Sequence, residues 1–573
     1  MEYDVIFEDV TYFYPRSQTP AIKDINLKIR KGEIFLITGP AGAGKTTLCE
    51  TTNGLIPHFF RGKLKGNVIV KGINTKESHI GELSRIVGLL FQDPSSQLVA
   101  ATVFDEVAFG PENFGVPREE IIKRVEESLA AVRMLELKDR NSHRLSGGQQ
   151  QAVVLAALMA VKPDIYVLDE PTSNLDPIGS IMFFDVMKDT VKKEGCTVII
   201  VEHKLEYVMP IADRMIVLNK GEIVFEGEPK KVIDNVEELE KLGLRVPQAA
   251  IVADRLRKRG HQIEIPLTLD EAKQHFTNFL KQYNPKPVKF EFTEEKQSSG
   301  EEIIRAENLT FVYPGGVVAL KNVSLSIYKG DFIALLGQNG SGKTTLVKHF
   351  NGLLKPTEGN VYVFGENTRN KSPADLAKRV GYVYQNPDYQ IFCRKVYDEV
   401  AFAPKNLKVP KEKIDELVMN ALKLVKMEYA IDENPFNLSK GERQRVAIAS
   451  VLAMDPDVLI VDEPTTGQDF RTSNEIMKLL QQLNNQGKTI IIITHDMELA
   501  ANYCRRTIVL KDGEVLLDGP TREVFSQVEI LRSTYLSPPQ VTLLARELKE
   551  FEIPPNILKV DEMVNFLEMK YGV

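Results

Sequence analysis

Tryptophan is absent from the 573 residues, and cysteine occurs only four times, at Cys49, Cys196, Cys393 and Cys504. The four thiols are far apart and form no CxxC pair and no zinc-ligand spacing. Reduced structural thiols are therefore expected, and neither a disulfide framework nor a metal knuckle is encoded. Long apolar runs are also lacking. The longest, "VVLAALMAV" (Val153 to Val161), is too short to cross a bilayer, so any membrane role is expected to come through a partner. The N-terminal "MEYDVIFEDV" shows no basic region followed by an apolar stretch and is not read as a secretory signal. Positive charge is not in excess either. The net charge of −7 argues against a general attraction to nucleic acid or anionic lipid.

What remains is an ordinary globular composition, 43% hydrophobic and 26% charged, in a chain too long for one core. The chain repeats itself. "GPAGAGKTT" from Gly39 returns as "GQNGSGKTT" from Gly337, and "VLDEPTSNLD" around Asp169 returns as "IVDEPTTGQD" around Asp462. "TVIIVEH" ends at His203, and "TIIIITH" ends at His495. "VPQAAIVADRLRKRG" near Pro247 is echoed by "PPQVTLLARELKEF" near Pro539. A steady offset between all these pairs is what a tandem duplication requires. Short β-branched runs such as "EIFLITG", "DIYVLDE" and "CTVIIVE" alternate with amphipathic stretches such as "REEIIKRVEESLAAVRML", which predicts an α/β core with a mostly parallel sheet in each half. The expected organisation is a first α/β domain over 1–235, a helical extension over 236–283, a linker over 284–300, a second α/β domain over 301–527 and a helical extension over 528–573.

Gly39 to Thr46 and Gly337 to Thr344 both fit GxxxxGK[ST]. Glycines at Gly39, Gly42, Gly44, Gly337, Gly340 and Gly342 let backbone N–H groups turn inward around a phosphate, at the positive end of the following helix. Lys45 and Lys343 can reach the β- and γ-phosphates, and Thr46 and Thr344 can hold Mg²⁺. Asp169 and Asp462 end apolar strands, where open parallel sheets place their ligands, and suit the same metal. Glu170 and Glu463 can polarise an attacking water.

These motifs make each half resemble an ATP-binding-cassette ATPase. The resemblance implies tandem P-loop NTPase domains, each with a RecA-like parallel core, an antiparallel β subdomain and a helical subdomain. It implies ATP and Mg²⁺ as ligands, with Thr47 and Thr345 completing the phosphate loops. Tyr14 and Tyr313 match the aromatic that stacks on adenine. Gln92 and Gln385 match the Q-loop glutamine that touches Mg²⁺ and senses the γ-phosphate. Asp176 and Asp469 match the D-loop aspartate, and His203 and His495 match the switch histidine. Ser146, Gly148 and Gln149, and Ser439, Gly441 and Glu442, match the signature loop.

In this family two cassettes dock head to tail, so each signature closes the site of the opposite half. The first signature reads "LSGGQQQA" and the second "LSKGERQR". Glu442 stands where the family has glutamine, and a carboxylate near a triphosphate is repulsive, with Lys440 and Arg443 available to offset it. Ala152 stands where the family usually has the arginine that the second half keeps as Arg445. Both sites are expected to hydrolyse ATP at unequal rates, the Lys343/Ser146 site faster.

The segments after the two glutamines, "FQDPSSQLVAATVFDEVAFGPENFGVP" and "YQNPDYQIFCRKVYDEVAFAPKNLKVP", share Gln97, Val103, Asp105, Glu106, Val107, Ala108, Phe109, Pro111 and Asn113 with the second copy. They resemble the ATPase subunits of energy-coupling-factor transporters, which import B vitamins and cobalt or nickel. That resemblance implies an integral membrane coupling subunit and a substrate-binding membrane subunit as partners. It also implies no nucleic acid, and a peripheral position on the cytoplasmic face of a prokaryotic membrane. Asp105, Glu106, Asp398 and Glu399 are expected acceptors for arginines of a coupling helix. The competing readings are the ATPase of another importer, such as a sugar importer, and a soluble two-cassette factor on ribosomes. The short linker of mixed charge speaks against the ribosomal factor.

Overall fold

Strand Ile34–Thr38 is buried along its whole length, and so is its repeat equivalent Phe332–Leu336. Neither alternates in polarity, because each lies inside a parallel sheet covered on both faces. The first six-stranded sheet runs in the order Glu222–Gly227, Arg214–Asn219, Ile34–Thr38, Thr197–Val201, Ile165–Asp169, Val87–Leu90. All neighbours are parallel except the hairpin of the first two strands. The second half repeats the same arrangement with Glu514–Pro520, Arg506–Lys511, Phe332–Leu336, Thr489–Ile493, Val458–Asp462 and Val380–Val383. The computed structural model describes every residue except Met1, Asn174, 293–299 and Gly467. The chain divides into two compact units, built mainly from residues 1–286 and 287–566. Residues 293–299 of the expected linker lie outside the described residues.

A four-stranded antiparallel sheet accompanies each parallel one. In the first half its order is Ile22–Arg30, Tyr3–Phe13, Lys63–Val70, Ile73–Asn74, and in the second Val318–Tyr328, Glu302–Val312, Glu358–Val363, Glu366–Asn367. Ile22–Arg30 alternates buried and exposed residues, as a sheet with one solvated face should. One core runs from Val5, Phe7 and Ile25 through Leu48 and Cys49 of helix Lys45–Thr52 into Phe35, Ile37 and Val167 of the parallel sheet. The phosphate-loop helix is therefore clamped between two sheets. Leu346 and Val347 of helix Lys343–Phe350 join the matching core of the second half.

Three helices form a separate subdomain in each half: Val103–Asn113, Arg118–Ala131 and Gly147–Val161, then Val396–Asn406, Lys411–Leu424 and Lys440–Leu452. The helical periodicity of "REEIIKRVEESLAAVRML" runs to Leu135, but the helix ends at Ala131 and Arg133 takes φ 58. Helices Val236–Lys241, Gln248–Lys258 and Leu269–Leu280 follow the first sheet, and Val528–Arg532, Gln540–Glu547 and Val560–Tyr571 follow the second. Among the described residues no helix is long and apolar enough to cross a membrane.

Candidate functional site

The phosphate loops leave no room for a side chain at their first and last glycines. A Cβ on Gly39 would lie 2.1 Å from Leu218 O, and one on Gly44, the residue before the helix, 2.4 Å from Ala21 O. The second loop repeats this: 2.3 Å from Leu510 O at Gly337 and 2.6 Å from Ala319 O at Gly342. Gly42 and Gly340 adopt φ 73 and 83, which glycine takes without strain. Lys45 is buried and donates through Nζ to Gly39 O and Pro40 O, both at 2.9 Å. Lys343 does the same to Gly337 O (2.8 Å) and Gln338 O (2.9 Å). Each ammonium is thus held by carbonyls of its own loop.

Thr46 Oγ1 donates to Asp169 Oδ2 at 2.6 Å, and Thr344 Oγ1 to Asp462 Oδ2 at 3.0 Å. These are pairs of hard oxygen donors at a strand end. They fit Mg²⁺, which uses few protein ligands and takes the rest from phosphate and water. Among the described residues no group of three His, Cys, Asp or Glu could hold a metal unaided. Burial, and next the Glu170 charge, push the Asp169 carboxyl up to about 6. Asp462 is also raised by burial, while Tyr382 opposes the rise by donating its hydroxyl to Oδ2 at 2.7 Å. Sequence reasoning missed Tyr382; its counterpart in the first half is Leu89.

Glu170 and Glu463 follow these aspartates with φ 48 and 46, a left-handed conformation that costs energy in a residue with a side chain. Their N–H groups still bond Val201 O and Ile493 O, both at 2.9 Å. The turn aims each carboxylate off the sheet at the histidine ending the next strand. His203 Nε2 lies 3.1 Å from Glu170 Oε1, and His495 Nδ1 lies 2.9 Å from Glu463 Oε2. Burial pushes both glutamates up, but the facing histidine and then the phosphate-loop lysine overcome it and hold both below the usual carboxylate range. Gln92 Nε2 donates to Glu170 Oε2 at 2.7 Å. In the second half it is Thr466 Oγ1 that donates to Glu463 Oε2, at 3.3 Å.

Tyr14 OH lies 3.0 Å from Thr47 Oγ1, and Tyr313 OH lies 3.0 Å from Thr345 Oγ1, so each aromatic is tied to its phosphate loop. Among the described residues the first half alone adds a buried carboxyl here: Glu50, 3.5 Å from Tyr14 OH. Lys348 takes the equivalent place in the second.

The signature residues cap helices. Ser146 and Gln149 form a reciprocal capping box at the start of Gly147–Val161, and Ser439 and Glu442 form one at the start of Lys440–Leu452. This answers part of the Gln/Glu difference: the side chain at this position turns back on its own helix. Arg443 does not offset Glu442. It pairs with Asp388 at 2.7 Å and donates to Leu438 O at 2.6 Å. Tyr429, not anticipated from sequence, donates its hydroxyl to Glu442 Oε1 at 2.5 Å. Arg445 pairs with Glu475 at 2.6 Å; Ala152 and Met182 stand at those two places in the first half. Asp176 caps helix Pro177–Glu194 through Gly179 N at 2.7 Å, and Asp469 is buried.

The expected docking carboxylates divide. Glu106 is buried and accepts from Val99 N (2.9 Å) and Ala100 N (2.6 Å). Glu399 is buried and accepts from Phe392 N (3.0 Å) and Cys393 N (2.8 Å). Both are structural: each fastens the preceding loop to its helix and is not offered to a partner's arginine. Asp105 and Asp398 remain outward, bonded to Thr102 Oγ1 (2.6 Å) and Lys405 (3.0 Å).

A family model described as "ABC transporter" matches residues 22–173 and 320–466. An ABC transporter ATP-binding protein of Caldanaerobacter subterraneus is 42% identical over 569 residues, covering 98% of this chain and 98% of its own. One from Methanosarcina mazei is 41% identical over 580 residues, covering 98% of this chain and 97% of its own. Among solved structures, cbiO1 from Clostridium perfringens, part of the ABC transporter complex cbiONQ, is 42% identical with a TM-score of 0.38, over 41% of this chain and 94% of that one. The chain belongs to the ABC transporter family and is an ATP-hydrolysing subunit carrying two cassettes in one polypeptide.

Proposed function

We propose that the chain drives an energy-coupling-factor-type importer, taking up a vitamin or a transition-metal ion through integral membrane partners. The observation that carries this reading is the surface that Glu106 and Glu399 build. Each fastens a loop to the "DEVAF" helix so that apolar side chains stay outside: Val99 and Phe109 in one half, Phe392 and Phe402 in the other. Phe392 and Phe402 are 58% and 44% exposed and meet edge to face at 4.7 Å. Clustered exposed apolar side chains mark interaction sites, and this one directly follows the Q-loop glutamine. A coupling subunit seated here would sense the nucleotide through Gln92 and Gln385. The chain would then lie peripherally on the cytoplasmic face of a prokaryotic membrane. The boundaries 1–235, 236–283, 284–300, 301–527 and 528–573 go with this reading.

In the proposed reaction the two phosphate loops, with Lys45 and Lys343, hold the β- and γ-phosphates, and Tyr14 and Tyr313 stack on adenine. Thr46, Asp169 and Gln92, or Thr344, Asp462 and Gln385, would hold Mg²⁺, which would neutralise phosphate charge. Glu170 and Glu463 orient a water and take its proton as the oxygen attacks the γ-phosphorus. The bond to the ADP oxygen breaks, and ADP and inorganic phosphate leave. His203 and His495 keep the carboxylates aimed and ionised. Ser146, Gly148 and Gln149 close the Lys343 site, and Ser439, Gly441 and Glu442 close the Lys45 site. ATP binding then draws the halves together, and phosphate release lets them part.

The test is affinity purification of the tagged chain from membranes of its own cells. A hydrophobic coupling protein with a small membrane protein is the expected yield, lost in the Phe392→Ala/Phe402→Ala variant. Ribosomes, or soluble proteins alone, would overturn the reading.

A further inference from the structure

Gln97 and Gln390 occupy equivalent places in the repeat, and the reaction described above uses neither. Both fold back on the residue that precedes the Q-loop glutamine. Gln97 Oε1 accepts from Phe91 N at 2.8 Å, and Gln390 Oε1 accepts from Tyr384 N at 3.1 Å. The other end of each amide differs. Gln97 Nε2 donates to Leu89 O at 2.9 Å, so its grip closes on the end of the sheet. Gln390 Nε2 donates to Ala447 O at 2.8 Å and Ser450 Oγ at 3.0 Å, in the middle of the signature helix Lys440–Leu452. Gln444, a glutamine of that helix, reaches Tyr384 O at 3.5 Å.

The first half has no such link among the described residues. Ala157 replaces the Ser450 hydroxyl. Gln151, the counterpart of Gln444, is fully buried with both amide atoms unpartnered. The same glutamine thus ties the Q-loop to the sheet in one half and to the signature helix in the other.

We propose that Gln390 is a positioning residue that transmits motion of the second Q-loop to its own signature helix, and that the first half lacks this transmission. The inference rests on reading Gln385 as the γ-phosphate contact. When Gln385 moves toward phosphate, Tyr384 moves with it. Tyr384 N–H and C=O are both held from the signature helix, directly or through Gln390. These partly buried donors and acceptors lose free energy if stripped of their partners, so the helix follows and shifts the Ser439 cap at its start. Nucleotide in the Lys343 site therefore repositions Ser439, whereas nucleotide in the Lys45 site leaves Ser146 where it is.

Hydrogen–deuterium exchange on the full chain, with Mg²⁺ and a non-hydrolysable ATP analogue, tests this. A Lys45→Ala background confines nucleotide to the Lys343 site. Nucleotide should then slow exchange in residues 446–452 about threefold, because exchange follows local opening. Gln390→Leu should cut that response to the little that Gln444 alone carries, while helix 343–350 stays protected. Ser450→Ala, too small a change to threaten folding, should weaken it. In a Lys343→Ala background, residues 153–161 should not respond. An undiminished response in both Gln390→Leu and Ser450→Ala, or an equal response in the first half, overturns the proposal. A response that survives Gln385→Ala but not Gln390→Leu would instead refute the role given to Gln385 and leave the link standing.

Discussion

The hydroxyl of Ser439 donates to Glu442 Oε2 at 2.6 Å, and the Ser439 N–H donates to the same oxygen at 2.8 Å. In the first half Gln149 Oε1 accepts only from Ser146 N, at 3.1 Å, while Ser146 Oγ accepts from Gln149 N at 3.4 Å. Among the described residues nothing takes the Ser146 proton. A glutamate is a good third residue for a helix, since it caps the start and suits the dipole. In the proposed reaction this costs chemistry: Ser439 must break a charge-assisted bond before it can donate to a phosphate, and Ser146 need not.

Glu442→Gln should therefore release the Ser439 proton and speed the Lys45 site, which Ser439 closes in the proposed reaction. With the other site silenced by Glu463→Gln, the ATPase rate should rise about fivefold, the worth of one net hydrogen bond of ~1 kcal/mol. Steady-state phosphate release checks this; an unchanged or lower rate would show that the locked serine is not what limits that site.

The same asymmetry ranks the two glutamates proposed as catalytic bases. Each removal should slow its own site by about 10²–10⁴, the usual worth of a general base. Under the proposed head-to-tail pairing Ser146 serves the Lys343 site, so Glu463→Gln should abolish most of the total ATPase and Glu170→Gln less than half. Equal losses from the two variants would mean the signatures are equivalent in practice.

Much of the site was legible because the repeat states it twice. The phosphate loops, Asp169, Glu170 and His203 stand at strand ends, and a parallel sheet with both faces covered sends its strand ends to one place. The geometry between side chains was not legible. That Glu106 and Glu399 serve their own loops follows from burial and two backbone N–H partners, and neither is visible in a string of letters; from sequence alone both looked like surface charge. Tyr382 and Tyr429 escaped notice because each differs between the halves, and the repeat highlights only what is kept. Gln97 and Gln390 show the converse limit. They stood out because they recur, yet their amides reach different partners, and Ser450 against Ala157 is a small cue to that.

The loop-fastening role of Glu399 separates folding from docking. Glu399→Ala leaves Phe392 N and Cys393 N without their acceptor and should destabilise the second unit by about 2–3 kcal/mol. Phe392→Ala and Phe402→Ala remove exposed rings and should change stability by less than about 0.5 kcal/mol while weakening membrane assembly. Denaturant unfolding alongside co-purification distinguishes the two. Lost assembly with unchanged stability in Glu399→Ala would restore that carboxylate as a docking group.

Glu50 adds a pH dependence to the first half alone. Burial, and then the Asp169 charge, raise its carboxyl from 4.5 to about 7. The folded chain therefore binds this proton more tightly than the unfolded one, and stability falls as pH rises from about 4.5 to 7. Above that range the charged Glu50 lies buried near Asp169, and the full penalty is present. Glu50→Gln removes the titration. The variant should melt a few degrees higher than the parent at pH 8, at ~2–4 °C per kcal/mol, and match it near pH 5. Lys348 occupies the equivalent place in the second half and is partly exposed, so Lys348→Gln should show no such convergence. Thermal melts of the nucleotide-free chain at the two pH values decide it. A difference between Glu50→Gln and the parent that is the same at pH 5 and pH 8 would show that lost packing, and not the buried charge, is what Glu50 contributes.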